Sequence, residues 1–409
     1  MKILHTSDWH LGRSLYGRKR YEEFDAFLEW LARVLVEEEI DVLLVAGDVF
    51  DNTAPSNRSQ EMYYRFLCRV AASSCRHVVI VAGNHDSPSF LDAPRDLLRH
   101  LQIYIVGSIG TNSEDEVLVL KDNQGETELI ICAVPYLRDR DIRSIESGET
   151  IEDKDRKLVE GIRDHYTQIC QQAADIRDQL ERRVPIIAMG HLFAAGGRTV
   201  EGDGVRELYV GSLAHVGVDI FPDFIDYLAL GHLHSAQTVG GQEKFRYAGA
   251  PLPMGFGEAG HSKSVIKLDW NEEQFDITPI EVPLWQKLCC VRGDREQVAQ
   301  QLNELISTGT KAWLEIVYEG KEIISDLREQ LETTVAGSEL EILRVFNQRI
   351  WDQGMSLGGS GELLSELDAR EVFERCMDTY EVPDEQRVGL LQIYDEVVNQ
   401  LDLADRMAE

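Results

Sequence analysis

Five short apolar runs, each stopping abruptly at polar residues, recur along the N-terminal half of the chain. Lys2–Thr6 (KILHT) leads into Asp8, Val42–Ala46 (VLLVA) into Asp48, and Val78–Ala82 (VVIVA) into Asn84. Pro185–Met189 (PIIAM) leads into His191 and Tyr227–Leu230 (YLAL) into His232. Runs of this length, aliphatic and flanked by glycine, predict strands buried on both faces. Between the first two, Phe24, Phe27, Leu28, Leu31 and Leu35 share one face of a helix over Tyr21–Val36. Strand, helix, strand in succession predicts a largely parallel α/β sheet, in which ligands gather at the carboxyl ends of the strands. Every polar cluster named above falls at such an end.

Residues 139–183 are charged and helical in character and carry no motif. Beyond Asp269 the pattern changes. Leu288–Val291, Ala312–Tyr318 and Leu340–Phe346 predict strands, with helices over Arg295–Ile306 and Ile323–Val335 between them. Gly354–Gly361 is a flexible linker by composition. Two helices follow: one capped by Asp368 and Glu371, the other running from Pro383 through Leu401. The expected division is a body over 1–282, a small domain over 283–350, a linker over 351–362 and a helical tail over 363–409. A tethered helical pair cannot bury its apolar face alone, so Leu363, Leu364, Leu367, Val372 and Phe373 either pack back on their own domain or bind a partner, and the glycine linker favours the partner.

Composition narrows the class. At 409 residues the chain exceeds one ordinary core. With 43% hydrophobic and 28% charged residues it is neither disordered nor membrane-spanning, since no apolar run nears the ~20 residues a span needs. The N-terminus lacks the pattern of a secretory signal, so a cytoplasmic location is expected. Seven cysteines without a C-x-x-C pair imply neither a disulfide framework nor a zinc cluster. A net charge of −31 opposes approach to a polyanion, but the charge is uneven. Residues 271–409, a third of the chain, carry more than half of it, whereas the first twenty residues set Lys2, Arg13, Arg18, Lys19 and Arg20 against Asp8 alone. Arg13, Arg18, Lys19 and Arg20, in the loop after the first strand, are therefore candidate DNA contacts, weighed against the plainer reading of a solvated face.

The strand-end residues, taken in order, are Asp8, His10, Asp48, Asp51, Asn84, His85, Asp86, His191, His232 and His234. Mixed nitrogen and oxygen donors without thiolate suit borderline divalent ions such as manganese, iron or zinc. Two ions about 4 Å apart need a shared ligand, and Asp48 is the central candidate for that bridge. His5, inside the first strand, reads as a packed histidine, and Asp86 as a shaper of the turn after His85.

The ordered set D-x-H, G-D-x-x-D, G-N-H-D, G-H and G-H-x-H resembles the calcineurin-like metallophosphoesterase superfamily. The stretches HTSDWHLG (5–12), VAGDVFD (45–51), AGNHDS (82–87), RYAGAPLPMGFGE (246–258) and LLSELDAREVFER (363–375) are similar to its bacterial DNA-nuclease branch. The resemblance implies an α/β sandwich of mixed β-sheets flanked by helices, a small α+β capping domain and a helical C-terminal tail. It implies two divalent ions, manganese favoured, one held by Asp8, His10 and His234 and the other by Asn84, His191 and His232, with Asp48 bridging. His85 stays unligated and acts near the leaving oxygen as general acid or positive charge. Asp51 stands where archaeal relatives have a histidine, and is expected to accept a hydrogen bond from His85. The implied activities are double-strand 3′ to 5′ exonuclease and single-strand endonuclease.

The resemblance also implies a coiled-coil ATPase partner, with the chain a homodimer inside a heterotetramer. ATP dependence has to come from that partner, because Gly12–Arg20 lacks the G-K-[ST] ending of a phosphate loop. A phosphatase of the same superfamily is the alternative. Protein phosphatases of this fold place an arginine after the second aspartate of G-D-x-x-D, and here Asn52 follows Asp51. A scaffold that lost its metals would show missing ligands, and none is missing.

Overall fold

A computed structural model of the chain describes residues 1–110, 115–142, 150–194, 216–320, 324 and 326–347, with 373, 377, 387, 389–391 and 394. Two six-stranded mixed sheets form its centre. The first runs, in spatial order, Phe275–Val282, Lys263–Trp270, Lys2–Thr6, Val42–Ala46, His77–Val81 and Ile103–Val106. The second runs Gln237–Val239, Gln242–Tyr247, Tyr227–Gly231, Ile186–His191, Thr127–Ala133 and Val117–Lys121. Each holds four parallel strands; antiparallel strands complete them, two at one edge of the first sheet and one at each edge of the second.

The alternation of side chains along a strand explains why these runs are apolar throughout. Ile3, Val42, Leu44, Val79 and Val81 of the first sheet meet Leu129, Ile131, Ile187, Met189 and Ala229 of the second in one inner core. The opposite faces build two outer cores. Leu4, Leu43, Val45 and Ile80 lie under Phe24, Phe27, Leu31 and Leu35 of the helix Tyr21–Glu37 and Met62 and Phe66 of the helix Asn57–Ala71. Ile130, Ile186, Ala188 and Leu228 lie under Ile162, Tyr166, Ile169 and Ala173 of the helix Ile151–Arg177. Helix, sheet, sheet, helix is the resulting order of layers.

The single parallel sheet that the five runs predict is thus two sheets. The apolar runs alone could not reveal this, because the outermost strands are less uniformly apolar: Val117–Lys121 and Phe275–Val282 mix buried with exposed residues. The sandwich implied by the resemblance is the fold observed. The charged stretch over 139–183 proves to contain the long helix that covers the second sheet, begun by a capping box between Thr150 and Asp153.

The chain divides into two compact units. One comprises Met1–Cys290 with Thr308–Glu315 and Gly337–Arg344; the other comprises Val291–Ser307, Ile316–Ala336 and Val345–Glu409. Strands Lys287–Gly293, Ala312–Tyr318 and Leu340–Asn347 form a three-stranded sheet in that order, and helices Arg295–Ser307 and Leu327–Val335 occupy the intervals. Of the tail residues expected to bind a partner, Leu363, Leu364, Leu367 and Val372 lie outside the described residues. Phe373 stacks on Tyr394 with ring centroids 4.5 Å apart. No helix among the described residues is long and apolar enough to cross a membrane.

Candidate metal centre

The backbone at the strand ends is forced into conformations that ordinary residues avoid. Asp8, His10, Asp48 and His232 have φ of 52°, 47°, 50° and 106°. Non-glycine residues held there store strain, which persists only when the surroundings impose it. Here the first two loops zip together: Asp8 N–H donates to Gly47 O at 3.0 Å, His10 N–H to Asp48 O at 2.9 Å and Leu11 N–H to Val49 O at 2.9 Å. Asp86, fully buried, ties in the third loop by accepting from the N–H groups of Gly83, Val49 and Phe50 at 2.9, 3.1 and 2.9 Å. Two motif glycines have a steric cause. A Cβ on Gly83 would overlap Asp48 Oδ1, and one on Gly231 would overlap the carbonyl oxygen of Ala46.

These loops bring both expected donor sets together. Ligand atoms of Asp8, His10 and His234, the first expected set, lie within 4.8 Å of one another; so do those of Asp8, Asp48 and His191, which join one member of each set to the expected bridge. His10 Nε2 is 3.1 Å from His234 Nε2 and 3.6 Å from Asp48 Oδ2. On the other side His191 Nε2 is 3.3 Å from the same Asp48 Oδ2 and 3.0 Å from Asn84 Oδ1, which His232 Nδ1 approaches at 3.2 Å. Asp48 therefore stands between the two sets.

The chemistry of His191 tests whether a cation fits. Its Nδ1 is 3.0 Å from the carbonyl of Ala46, which can only accept, so Nδ1 carries a hydrogen. In a neutral ring Nε2 then turns a lone pair toward one carboxylate oxygen and one amide oxygen. Three electron-pair donors with no hydrogen among them are the surroundings of a cation. In the protein alone a proton takes that part: burial opposes it, but the Asp48 and Asp8 carboxylates push the His191 pKa up to about 9. Asp48 is held well below the usual carboxylate range, against its own burial, by His191 and His10. The residues fit divalent ions.

His85 stands beside this centre, its ring 4.9 Å from that of His10. Its backbone N–H donates to Asp48 Oδ1 at 2.9 Å, and its Nδ1 lies 2.9 Å from the backbone carbonyl of Asp51. The hydrogen bond expected between His85 and Asp51 is thus made by the main chain and not by the carboxylate. That carboxylate faces His10 Nδ1 at 3.5 Å and Arg13 Nη1 at 3.3 Å. Burial would raise the Asp51 pKa, but His10 and Arg13 bring it below the ordinary carboxylate value. His5 lies in the core with Nδ1 3.1 Å from the hydroxyl of Tyr227.

The basic set does not stay together. Arg20 is buried, clamped by both carboxylate oxygens of Glu23 at 2.9 and 2.8 Å, and donates to Pro253 O at 2.6 Å. It is an internal strut, unavailable for the DNA contact expected of it, because a buried guanidinium needs a bidentate partner of this kind. Arg13 turns to Asp51. Arg18 and Lys19 form one exposed edge of a hairpin with Ser14–Leu15, and Arg18 reaches Glu341 at 3.4 Å. Sequence reasoning missed the buried pair of Glu258 and Lys263 behind His234; a lone glutamate in the apolar run PLPMGFGE was the available signal.

The family model described as calcineurin-like phosphoesterase matches residues 1–236, and that described as type 5 capsule protein repressor C-terminal domain matches residues 285–380. The chain is similar to the D subunit of the SbcCD nuclease of Escherichia coli (strain K12), 34% identical over 397 residues, 96% of this chain and 97% of that one. Its counterpart from Bacillus subtilis (strain 168) is 32% identical over 326 residues, 77% and 78% of the two chains. That from Rhodobacter capsulatus is 36% identical over 275 residues, 66% of each. With its strand-end donors converging as described, the chain belongs to the calcineurin-like phosphoesterase family, in the branch of the SbcCD nuclease D subunits.

Proposed function

We propose that the chain is the nuclease subunit of an SbcCD-type complex, hydrolysing phosphodiester bonds in DNA with two manganese ions. The observation that carries this reading is the convergence of Asn84 Oδ1 and Asp48 Oδ2 on His191 Nε2, with the same Asp48 oxygen facing His10. When bound, two divalent ions would lower the pKa of an attacking water and offset charge on the phosphoryl oxygens. Asp8, His10 and His234 would hold one, Asn84, His191 and His232 the other, with Asp48 common to both. His85 handles the proton. Because Nδ1 donates to the carbonyl of Asp51, Nε2 is left to hold a proton and release it to the leaving oxygen. The hydrogen bond from His85 N–H to Asp48 Oδ1 mounts the acid on the residue that would serve both ions, so positioning follows from one frame.

In this proposal double-strand 3′ to 5′ exonuclease activity requires ATP and an SbcC-type coiled-coil ATPase, bound through Leu363, Leu364, Leu367, Val372 and Phe373, in a heterotetramer containing a homodimer of this chain. Single-strand endonuclease activity needs no motor. The test uses end-labelled linear duplex and short single strands, with manganese, magnesium or a chelator. Single strands should be cut by the chain with manganese, and duplex shortened only when ATPase and ATP are added. Hydrolysis of a simple phosphate monoester with no cleavage of either DNA would transfer the site to the phosphatase reading.

A further inference from the structure

We propose that Lys263 and Glu258 form a buried ionic clamp whose function is to position His234 for its metal. The inference rests on the assignment of His234 as a ligand. Lys263 opens a strand of the first sheet and is 8% exposed; Glu258 is fully buried. A buried ammonium is costly unless paired. Its Nζ is 2.6 Å from Glu258 Oε1 and donates to the carbonyl oxygen of His234 at 3.0 Å, while the other oxygen of Glu258 accepts from Met254 N–H. The His234 carbonyl receives a second donor, Ala250 N–H, at 3.0 Å.

Stability alone does not call for this arrangement, because well-packed apolar residues replace buried ion pairs at little or no cost. Its location supplies the reason. Asp8 and His10 follow a strand of the first sheet, whereas His234 follows Tyr227–Gly231 of the second. The three donors close on one ion only if the two sheets are held at the correct spacing at this edge. Lys263 spans that gap, since it belongs to the first sheet and binds the main chain of the ligand from the second. A lysine acting on a ligand's carbonyl is a positioning residue, comparable to the outer partners that orient metal-bound histidines.

The test is calorimetric titration of the metal-free full-length chain with manganese. Lys263→Met should weaken one of the two sites by roughly ten- to hundredfold and leave the other unchanged, with Lys263→Arg recovering most of the loss. Should Lys263→Met fail to fold, the charge-free double variant Lys263→Met/Glu258→Gln should fold and show the same loss at one site. In a His234→Ala background Lys263→Met should add nothing. Full affinity at both sites, equal loss at both, or an additive loss in the His234→Ala background would each overturn the proposal. If His234→Ala itself retains both sites, the ligand assignment fails and the clamp fails with it.

Discussion

His85 and Asp51 are joined through the main chain: the ring Nδ1 of His85 lies 2.9 Å from the carbonyl oxygen of Asp51. A carbonyl only accepts, so the tautomer of His85 is set by a group that no side-chain substitution at position 51 removes. The Asp51 carboxylate is left to His10 and Arg13. The two functions of this residue are therefore separable. Asp51→Ala should weaken manganese binding by roughly tenfold or more through loss of the group that orients His10, with turnover at saturating manganese near that of the unmodified chain. A kcat measured across a manganese titration decides the matter; a large fall at saturation would give the carboxylate a part in proton handling.

Asp48 and His85 should separate in the opposite sense. Asp48→Ala removes the oxygen that faces both His10 and His191, at 3.6 and 3.3 Å, and should abolish both metal retention and hydrolysis. His85→Ala keeps the backbone N–H that donates to Asp48, so it should retain its metal while losing about 10²- to 10⁴-fold in turnover. Bound manganese and cleavage rate, measured on both variants, check the assignment. Equal loss of metal in the two would make His85 a ligand.

Arg20 and its neighbours in the hairpin should behave as different kinds of residue. Arg20→Ala strands the buried Glu23 carboxylate and should cost about 3–5 kcal/mol in chemical unfolding. Replacing Arg18 and Lys19 by alanine should leave unfolding unchanged and weaken DNA binding, with a salt slope shallower by about one for each phosphate that these side chains neutralise. If affinity and slope are unaltered, Arg18 and Lys19 are only a solvated edge.

His5 predicts part of the acid sensitivity of the fold. Desolvation lowers its pKa from 6.5 to about 3, opposed by a hydrogen bond to the main chain of Leu230. A histidine whose folded pKa is depressed leaves the unfolded chain as the better proton binder below pH 6.5, so its contribution costs stability progressively as pH falls from 6.5 toward 3. Between pH 7 and pH 5 this amounts to about 2 kcal/mol. His5→Phe should flatten the loss by that amount in urea unfolding at the two pH values, whatever its absolute stability. An identical pH dependence in the two chains would mean that His5 is protonated in the folded state.

The sequence by itself determined the chemistry at the strand ends. An apolar run closed by glycine and then by aspartate, asparagine or histidine is a local pattern, and a local pattern suffices to say that the donors lie at the carboxyl end of a strand. It also determined, through the ordered motifs, the sandwich of mixed sheets. Tertiary structure alone decided which donor faces which. Arg20 reads as a basic surface residue until Glu23 and a carbonyl 233 positions away enclose it. Asp51 reads as the partner of His85 until the fold turns its carboxylate to His10 and leaves the main chain to hold His85. Lys263 and Glu258 carry no motif of their own, and they matter only because the first sheet brings them against the carbonyl of His234 from the second. The physical reason is the range of the forces: strand formation and turn strain act over a few neighbouring residues, whereas the burial that obliges a charge to find a partner is set by residues distant in the chain.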